Sequence, residues 1–297
     1  MPLITINYSF GTEGKDIAQT VAQKLGVELF DDKKLRTFVT KSEVSTFTEN
    51  RFDLQAPGFW QRLRSREPQV YLDIMEAAVY DIARKGEGVI IGHGSQMLLR
   101  DFSCAFHVRL LSTLKLRVEN LVSNQDISRD AAAELIAKYD KSQKAFFRYA
   151  FQIDFDKPSL YDLVINMDKM KKRTVTRLIM EALESEDIQT CSFDALSSME
   201  KLALERKIHA ELLEKQIDIS TLKIAVPKIG EAEITGTAVS QEEKDRIIEI
   251  VNSVHGVSHV RTDLSVWIYP LRFHDFRALM WNWSIYKIDD TDKPVIS

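Results

Sequence analysis

Cysteine is scarce. Cys104 and Cys191 are the only two among 297 residues, far apart and without the spacing of a metal site or a disulfide framework. They read as structural thiols in a reducing compartment. Six histidines, with no H-E-x-x-H pattern and no clustering with cysteine, give no zinc centre. The absence of a G-x-S-x-G elbow removes the serine-hydrolase class. No run reaches the roughly 18 apolar residues that would span a bilayer, and Met1-Pro2-Leu3-Ile4-Thr5 has neither the basic nor the apolar region of a signal peptide. The expected location is the cytoplasm. Positive charge is not in excess either. A net charge of −4 gives no bulk attraction to nucleic acid or to an anionic membrane, so any anion site must be local. Internal repeats and low-complexity segments are lacking as well.

What is present is an ordinary globular composition, 44% hydrophobic and 28% charged, on a chain long enough for two hydrophobic cores. A β-rich run over Leu3–Asn7 leads through Ser9-Phe10-Gly11-Thr12-Glu13-Gly14-Lys15-Asp16 into a helical pattern at Ile17, Val21 and Leu25. Val27–Phe30 reads as a second short strand. Leu72, Met75, Val79 and Ile82 mark a long helix between Pro68 and Lys85. Val89-Ile90-Ile91, Ala105–Val108 and Leu163-Val164-Ile165 read as buried strands, with helices through Leu114, Val118 and Leu121 and from Ser128 to about Tyr149. Repeated β-then-α order with buried strands predicts a parallel sheet covered by helices on both faces.

The residues 1–183 form the first expected domain. Residues 184–198, polar and acidic without a period, read as a linker. Residues 199–268 read as a second, compact αββαβ unit: a helix near Met199–Lys215, a strand with Leu222, Ile224 and Val226 on one face, another around Ile234, a helix from Ser240 to His255, and a strand alternating Val260, Thr262, Leu264 and Val266. Residues 269–297 form an aromatic-rich tail with Trp281, Trp283 and Tyr286.

The turn at Gly11–Asp16 carries the most chemistry. Small residues between a strand and a helix let backbone N–H groups face phosphate oxygens at the positive end of the helix, and a lysine neutralises the outer phosphates. Gly14-Lys15 stands where G-x-x-x-x-G-K-[ST] places it, but Ser9 replaces the first glycine and Asp16 the hydroxyl residue that ligates Mg²⁺. Glu13 adds a carboxylate. The plain alternative is a tight turn with a solvated lysine.

The run from Ile4 to Asp31 resembles the start of the cytidylate kinase-like family, whose loop reads like Gly-Ser-Gly-Gly-Arg-Glu. Val89-Ile90-Ile91-Gly92-His93-Gly94 is similar to that family's Val-Ile-Val-Gly-Arg-Gly. Phe106–Arg109 with Leu116-Arg117-Val118 resembles its next strand and helix, Asp140–Tyr149 its lid, and Pro158–Asn166 its last strand. The resemblance implies an α/β fold of the P-loop NTPase type and ATP-dependent phosphoryl transfer to a nucleoside monophosphate, CMP-like, or a related small acceptor, with ATP and Mg²⁺ as cofactors.

It also implies roles. Gly11, Thr12, Gly14, Lys15 and Asp16 hold the donor phosphates, and Lys15 is catalytic. Arg117 covers the donor base or phosphates, or is a helix-surface arginine. Lys141, Lys144 and the catalytic candidate Arg148 close over the phosphates, or form a solvated face. Asp31, at a strand's carboxyl end, binds acceptor or Mg²⁺, or caps a helix. Asp16 and Asp31 are the metal candidates, and His93 and Lys141 join Asp31 at the acceptor. His93 and Gln143 stand where the family has arginines, which weakens phosphate binding and keeps a nucleotide-binding sensor open as the alternative. A purely structural interaction protein is the third reading, and its mark would be Glu13 filling the phosphate cradle.

Met199–Trp267 resembles a BON domain, on Leu204, Ile208 and Leu212, on Ile229–Val239 with Gly230 and Gly236, and on Val254–Leu264 with Gly256-Val257. That resemblance implies binding without catalytic residues, to a protein partner or a small ligand.

Overall fold

The computed structural model describes residues 3–31, 33–35, 68–188 and 190–267. The expected aromatic tail, with Trp281, Trp283 and Tyr286, lies outside them. The first unit runs β1 (Leu3–Tyr8), α1 (Gly14–Leu25), β2 (Leu29–Phe30), α2 (Pro68–Ala83), β3 (Gly88–Ile91), α3 (Ser95–Leu98), β4 (Ala105–Leu111), α4 (Leu114–Gln125), α5 (Arg129–Phe151), β5 (Leu163–Asn166) and α6 (Lys172–Leu183). Its five strands lie in the order β2-β3-β1-β4-β5, every pairing parallel.

The sheet's two faces have different chemistry, which follows from the two-residue period of a strand. Ile4 and Ile6 of β1, with Phe106, Val108 and Leu110 of β4, face α1 and α6 and pack with Ile17, Val21, Val175 and Ile179. On the opposite face Leu3 and Ala105 pack with Ile74, Val79 and Ile82 of α2. Further along the same strands that face turns polar. Thr5 and Asn7 of β1 pair in register with His107 and Arg109 of β4, all four buried. An apolar floor thus gives way to a buried polar layer toward the strands' carboxyl ends.

The second unit runs α7 (Phe193–Glu214), β6 (Leu222–Lys228), β7 (Glu231–Ala238), α8 (Gln241–Ser253) and β8 (His259–Val266), the expected αββαβ order. Its three strands lie in the order β6-β7-β8, with an antiparallel and then a parallel pairing. Ile224, Val226, Ile234 and Leu264 pack on Ile247 and Val251 of α8.

Three features depart from expectation. Helix α7 opens at Phe193, six residues before Met199, because Ser192 caps it by accepting the Ala195 N–H (3.2 Å). It therefore begins inside the segment expected as linker. It also serves both cores. Met199, Ala203 and Ala210 pack against α2 and the first sheet, whereas Leu204, Ile208 and Leu212 pack against the second sheet. A helix apolar on two sides is buried on two sides. Helix α6 was not anticipated at all.

The third departure concerns the cysteines. Cys104, at the entry to β4, and Cys191, just before α7, form a disulfide with Cα atoms 4.8 Å apart across 87 residues, correcting the expectation of free thiols. The bridge depends on the chain's path between them, which spacing does not reveal.

The α2–α7 contact is also charged. Asp73 is fully buried and Arg206 reaches it at 3.4 Å and Glu76 at 2.8 Å, while Lys207 pairs with Asp81 and Arg84 with Glu200. Burial above all pushes the Asp73 carboxyl up to about 6, against the pull of Arg206, with the Glu76 charge raising it further. Burial pushes His209 down to about 4, helped by the Arg206 charge, so that ring is neutral near pH 7.

Candidate functional site

The loop after β1 is tied to itself before it meets anything else. Thr12 donates both its N–H (3.1 Å) and its hydroxyl (2.8 Å) to the Ser9 carbonyl, and its Oγ1 accepts the Gly14 N–H at 3.3 Å. Gly11 has φ of +87°, and a Cβ there would sit 3.0 Å from both the Cβ and the carbonyl oxygen of Arg117. Glycine is therefore demanded twice over, by backbone and by space. Helix α1 opens directly at Gly14, so its first-turn N–H groups, which have no partner inside the helix, stand at the loop's mouth with the positive end of the helix dipole.

Lys15 is 57% exposed and its Nζ lies 3.2 Å from Asp31 Oδ2. Asp31 in turn accepts the Lys34 N–H at 3.2 Å. It is thus a cap, the plainer of the two readings given for it, and also the partner of the loop lysine. The loop's other carboxylates are balanced by a residue that sequence reading passed over. Lys172, at the start of α6, lies 3.7 Å from Glu13 and 3.5 Å from Asp16. The Glu13 side chain is 40% exposed and paired with Lys172.

Arg117 of α4 holds the loop to α5. Its guanidinium donates to the Phe10 carbonyl (3.3 Å) and to both Asp140 oxygens (3.0 Å each). Asn120 donates to the Gly11 carbonyl at 3.1 Å, and Phe10 stacks on Tyr139 with centroids 4.5 Å apart. Lys141 and Arg148 sit on the exposed side of α5. His93 has φ of +57° between Gly92 at +68° and Gly94 at +71°. The Phe151 ring at the end of α5 leaves no room for a side chain at Gly94.

Beneath the loop lies the polar layer. Arg109, buried at 3% exposure, donates to Asn7 Oδ1 at 2.6 Å and to Ser9 Oγ at 3.5 Å, and pairs with Asp156 at 3.3 Å. Its guanidinium lies 4.6 Å from the centre of the Phe155 ring. Burial lowers its affinity for a proton, against the opposing influence of Tyr161 and Asp156. His107 shares a 2.8 Å hydrogen bond with Thr5 through Nδ1, and its backbone N–H donates to Asp162 at 2.7 Å. Burial lowers the His107 pKa, opposed by Asp162. Gln143 and Lys144 of α5 reach down to the same layer, Gln143 donating to Asn7 at 3.4 Å and Lys144 pairing with Asp156 at 3.2 Å.

The structure thus gathers Gly11, Thr12, Gly14, Lys15, Asp16 and Asp31 around one loop, sets Arg117 behind it, and leaves Lys141 and Arg148 toward solvent. Asn7, Arg109, Asp156 and Lys172 were missed. For Arg109 there was a signal, a full charge between Val108 and Leu110 in a strand that is otherwise apolar except for His107. For Lys172 there was none, because its partners lie more than 150 residues away.

The residues present fit a phosphate-bearing nucleotide: an open helix start, a flanking lysine, and carboxylates already balanced by Lys172. Among the described residues no group of three His, Cys, Asp or Glu is placed to hold a metal ion. Mg²⁺ carried by a nucleotide takes phosphate oxygens and waters with one or two carboxylates, and Asp16 and Asp31 are of the right type for that.

A parallel sheet with a glycine loop between its first strand and helix defines an α/β fold of the P-loop type. The chain belongs to the cytidylate kinase-like family, whose model matches residues 3–169, and residues 201–266 match the BON domain. The chain is 31% identical over 80 residues to a cytidylate kinase of Thermoplasma acidophilum, covering 27% of this chain and 43% of that protein. It is 26% identical over 107 residues to one of Methanocaldococcus jannaschii, covering 35% and 60%. The matched stretch thus spans less than two thirds of either relative. A solved structure of an uncharacterized protein from Eubacterium ventriosum has 18% identity and a TM-score of 0.51, covering 62% of this chain and 99% of that one, which is a likeness of fold. No helix among the described residues is long and apolar enough to cross a membrane.

Proposed function

We propose that the chain transfers a phosphoryl group from ATP, with Mg²⁺, to a nucleoside monophosphate or a related small acceptor, and that its BON-like unit binds a protein or small ligand that regulates or localises it. The observation that carries this reading is Lys15, exposed at the opening of α1 and paired with a carboxylate that an incoming phosphate can replace. The protein's task in such chemistry is positioning and charge stabilisation. Gly11, Thr12, Gly14 and Asp16 then line the donor phosphates, Lys15 and Arg148 act on the transferred group, Asp31, His93 and Lys141 face the acceptor, and Asp16 and Asp31 serve the metal. Arg117 acts from behind the loop. We divide the chain for this purpose at 1–183, 184–198, 199–268 and 269–297, with α7 opening at Phe193 inside the second of these segments. We assign it to the cytoplasm, where disulfides are uncommon, so the state of Cys104 and Cys191 in cells tests that location.

A nucleotide-binding sensor is the second reading, favoured by one observation: Gln143, standing where the family carries a lid arginine, brings no positive charge and is engaged with Asn7. A coupled assay across nucleoside monophosphates with ATP and Mg²⁺ separates the two. Turnover that falls by roughly 10²-fold or more in Lys15→Ala supports phosphoryl transfer. Calorimetric binding of nucleotide with no turnover for any acceptor leaves the sensor.

A further inference from the structure

Arg109 is a full charge inside a parallel sheet, between Val108 and Leu110, both wholly buried. A buried guanidinium is costly unless paired and hydrogen-bonded, and this one is held on two sides. Toward the loop it grips Asn7 and Ser9, the residues on which the loop starts. Away from it lies Asp156, in the segment that leaves α5. The residues that α5 sends down from above close on the same partners, Gln143 on Asn7 and Lys144 on Asp156. The loop and α5 are therefore joined at two places, through the partners of Arg109 here and through the Arg117–Asp140 pair about one turn earlier on the same helix.

We propose that Arg109 is a positioning residue that couples the root of the glycine loop to the carboxyl-terminal half of α5, so that phosphate in the loop orders the helix above it. The guanidinium itself is too buried to meet a ligand, and it works through Asn7, Ser9 and Asp156. A lysine keeps the charge but not the planar fork that reaches both sides at once. A methionine keeps the contact with Phe155 and loses every polar partner.

Hydrogen–deuterium exchange on the full-length chain tests this, with Arg109→Lys, Arg109→Met and Lys144→Ala beside the unaltered protein. Without nucleotide, exchange over residues 140–151 should rise at least tenfold in Arg109→Met and less in Lys144→Ala, while residues 222–238 of the second unit stay unchanged. The second-unit strands report whether each variant is folded, and Arg109→Lys serves if the methionine variant is not. With ATP and Mg²⁺ the unaltered protein should gain protection in residues 9–17 and in 140–151, and Arg109→Met only in 9–17. Unchanged exchange over 140–151 in both Arg109 variants overturns the coupling. The ATP arm rests on the phosphotransfer reading. If the unaltered protein shows no response to ATP, that reading falls, and the nucleotide-free arm alone decides the role of Arg109.

Discussion

Glu13 is the residue most at odds with a phosphate site, and its neighbour explains how the loop tolerates it. Lys172 lies within 4 Å of both Glu13 and Asp16, so the two carboxylates confront an incoming anion as a neutralised group. All three side chains are well exposed, and exposed pairs contribute little and are screened by salt. The expected consequence is modest and specific. Lys172→Ala weakens ATP binding about threefold at low ionic strength, Glu13→Gly in that background restores it, and the difference vanishes in high salt. Calorimetric titrations at two salt concentrations check it, and a Lys172→Ala loss that Glu13→Gly leaves untouched would assign the lysine a direct contact instead. The same pairing shows why this part of the site was illegible. Glu13 was read as a departure because its compensation comes from α6, brought alongside only by folding.

Among the elements, short apolar strands buried on both faces were readable, whereas α6 was passed over although Val175, Ile179 and Leu183 lie buried on one side of it. Strands β1, β3, β4 and β5 were located from short apolar runs, and α5 from its Ser128 start. Helix α7 was placed six residues late because apolar residues lie on two of its faces, which blurs a helical period. Its contact with α2 buries Asp73, whose carboxyl is raised to about 6 chiefly by burial. A carboxyl raised in the folded state holds its proton there at pH values where the unfolded chain has lost it, so the folded chain binds more protons between about 4 and 6 and stability falls as pH rises through that window. Asp73→Asn removes this dependence. Its melting temperature relative to the unaltered protein should climb from pH 4 to pH 7 and then level off. A flat difference across that range would show that Asp73 ionises normally against Arg206.

For the molecule as a whole, the two units are tied covalently and by a shared helix. Cys104→Ser should lower stability by about 2–4 kcal/mol, a typical disulfide contribution, with reduction by a dithiol producing a similar loss. Denaturant titration with and without reductant checks both, and equal stability in the two would mean the bridge is not closed in solution. Because Met199, Ala203 and Ala210 complete one core while Leu204, Ile208 and Leu212 complete the other, heating should give a single calorimetric transition for both units.

Helix α7 also decides what a cut in the chain would do. A protease nicking the segment between Leu183 and Cys191 would sever the polypeptide and leave no separable halves. The downstream piece would keep its helix seated on α2 and its sulfur on Cys104, so the nicked protein would elute and migrate as one body until reduced and unfolded.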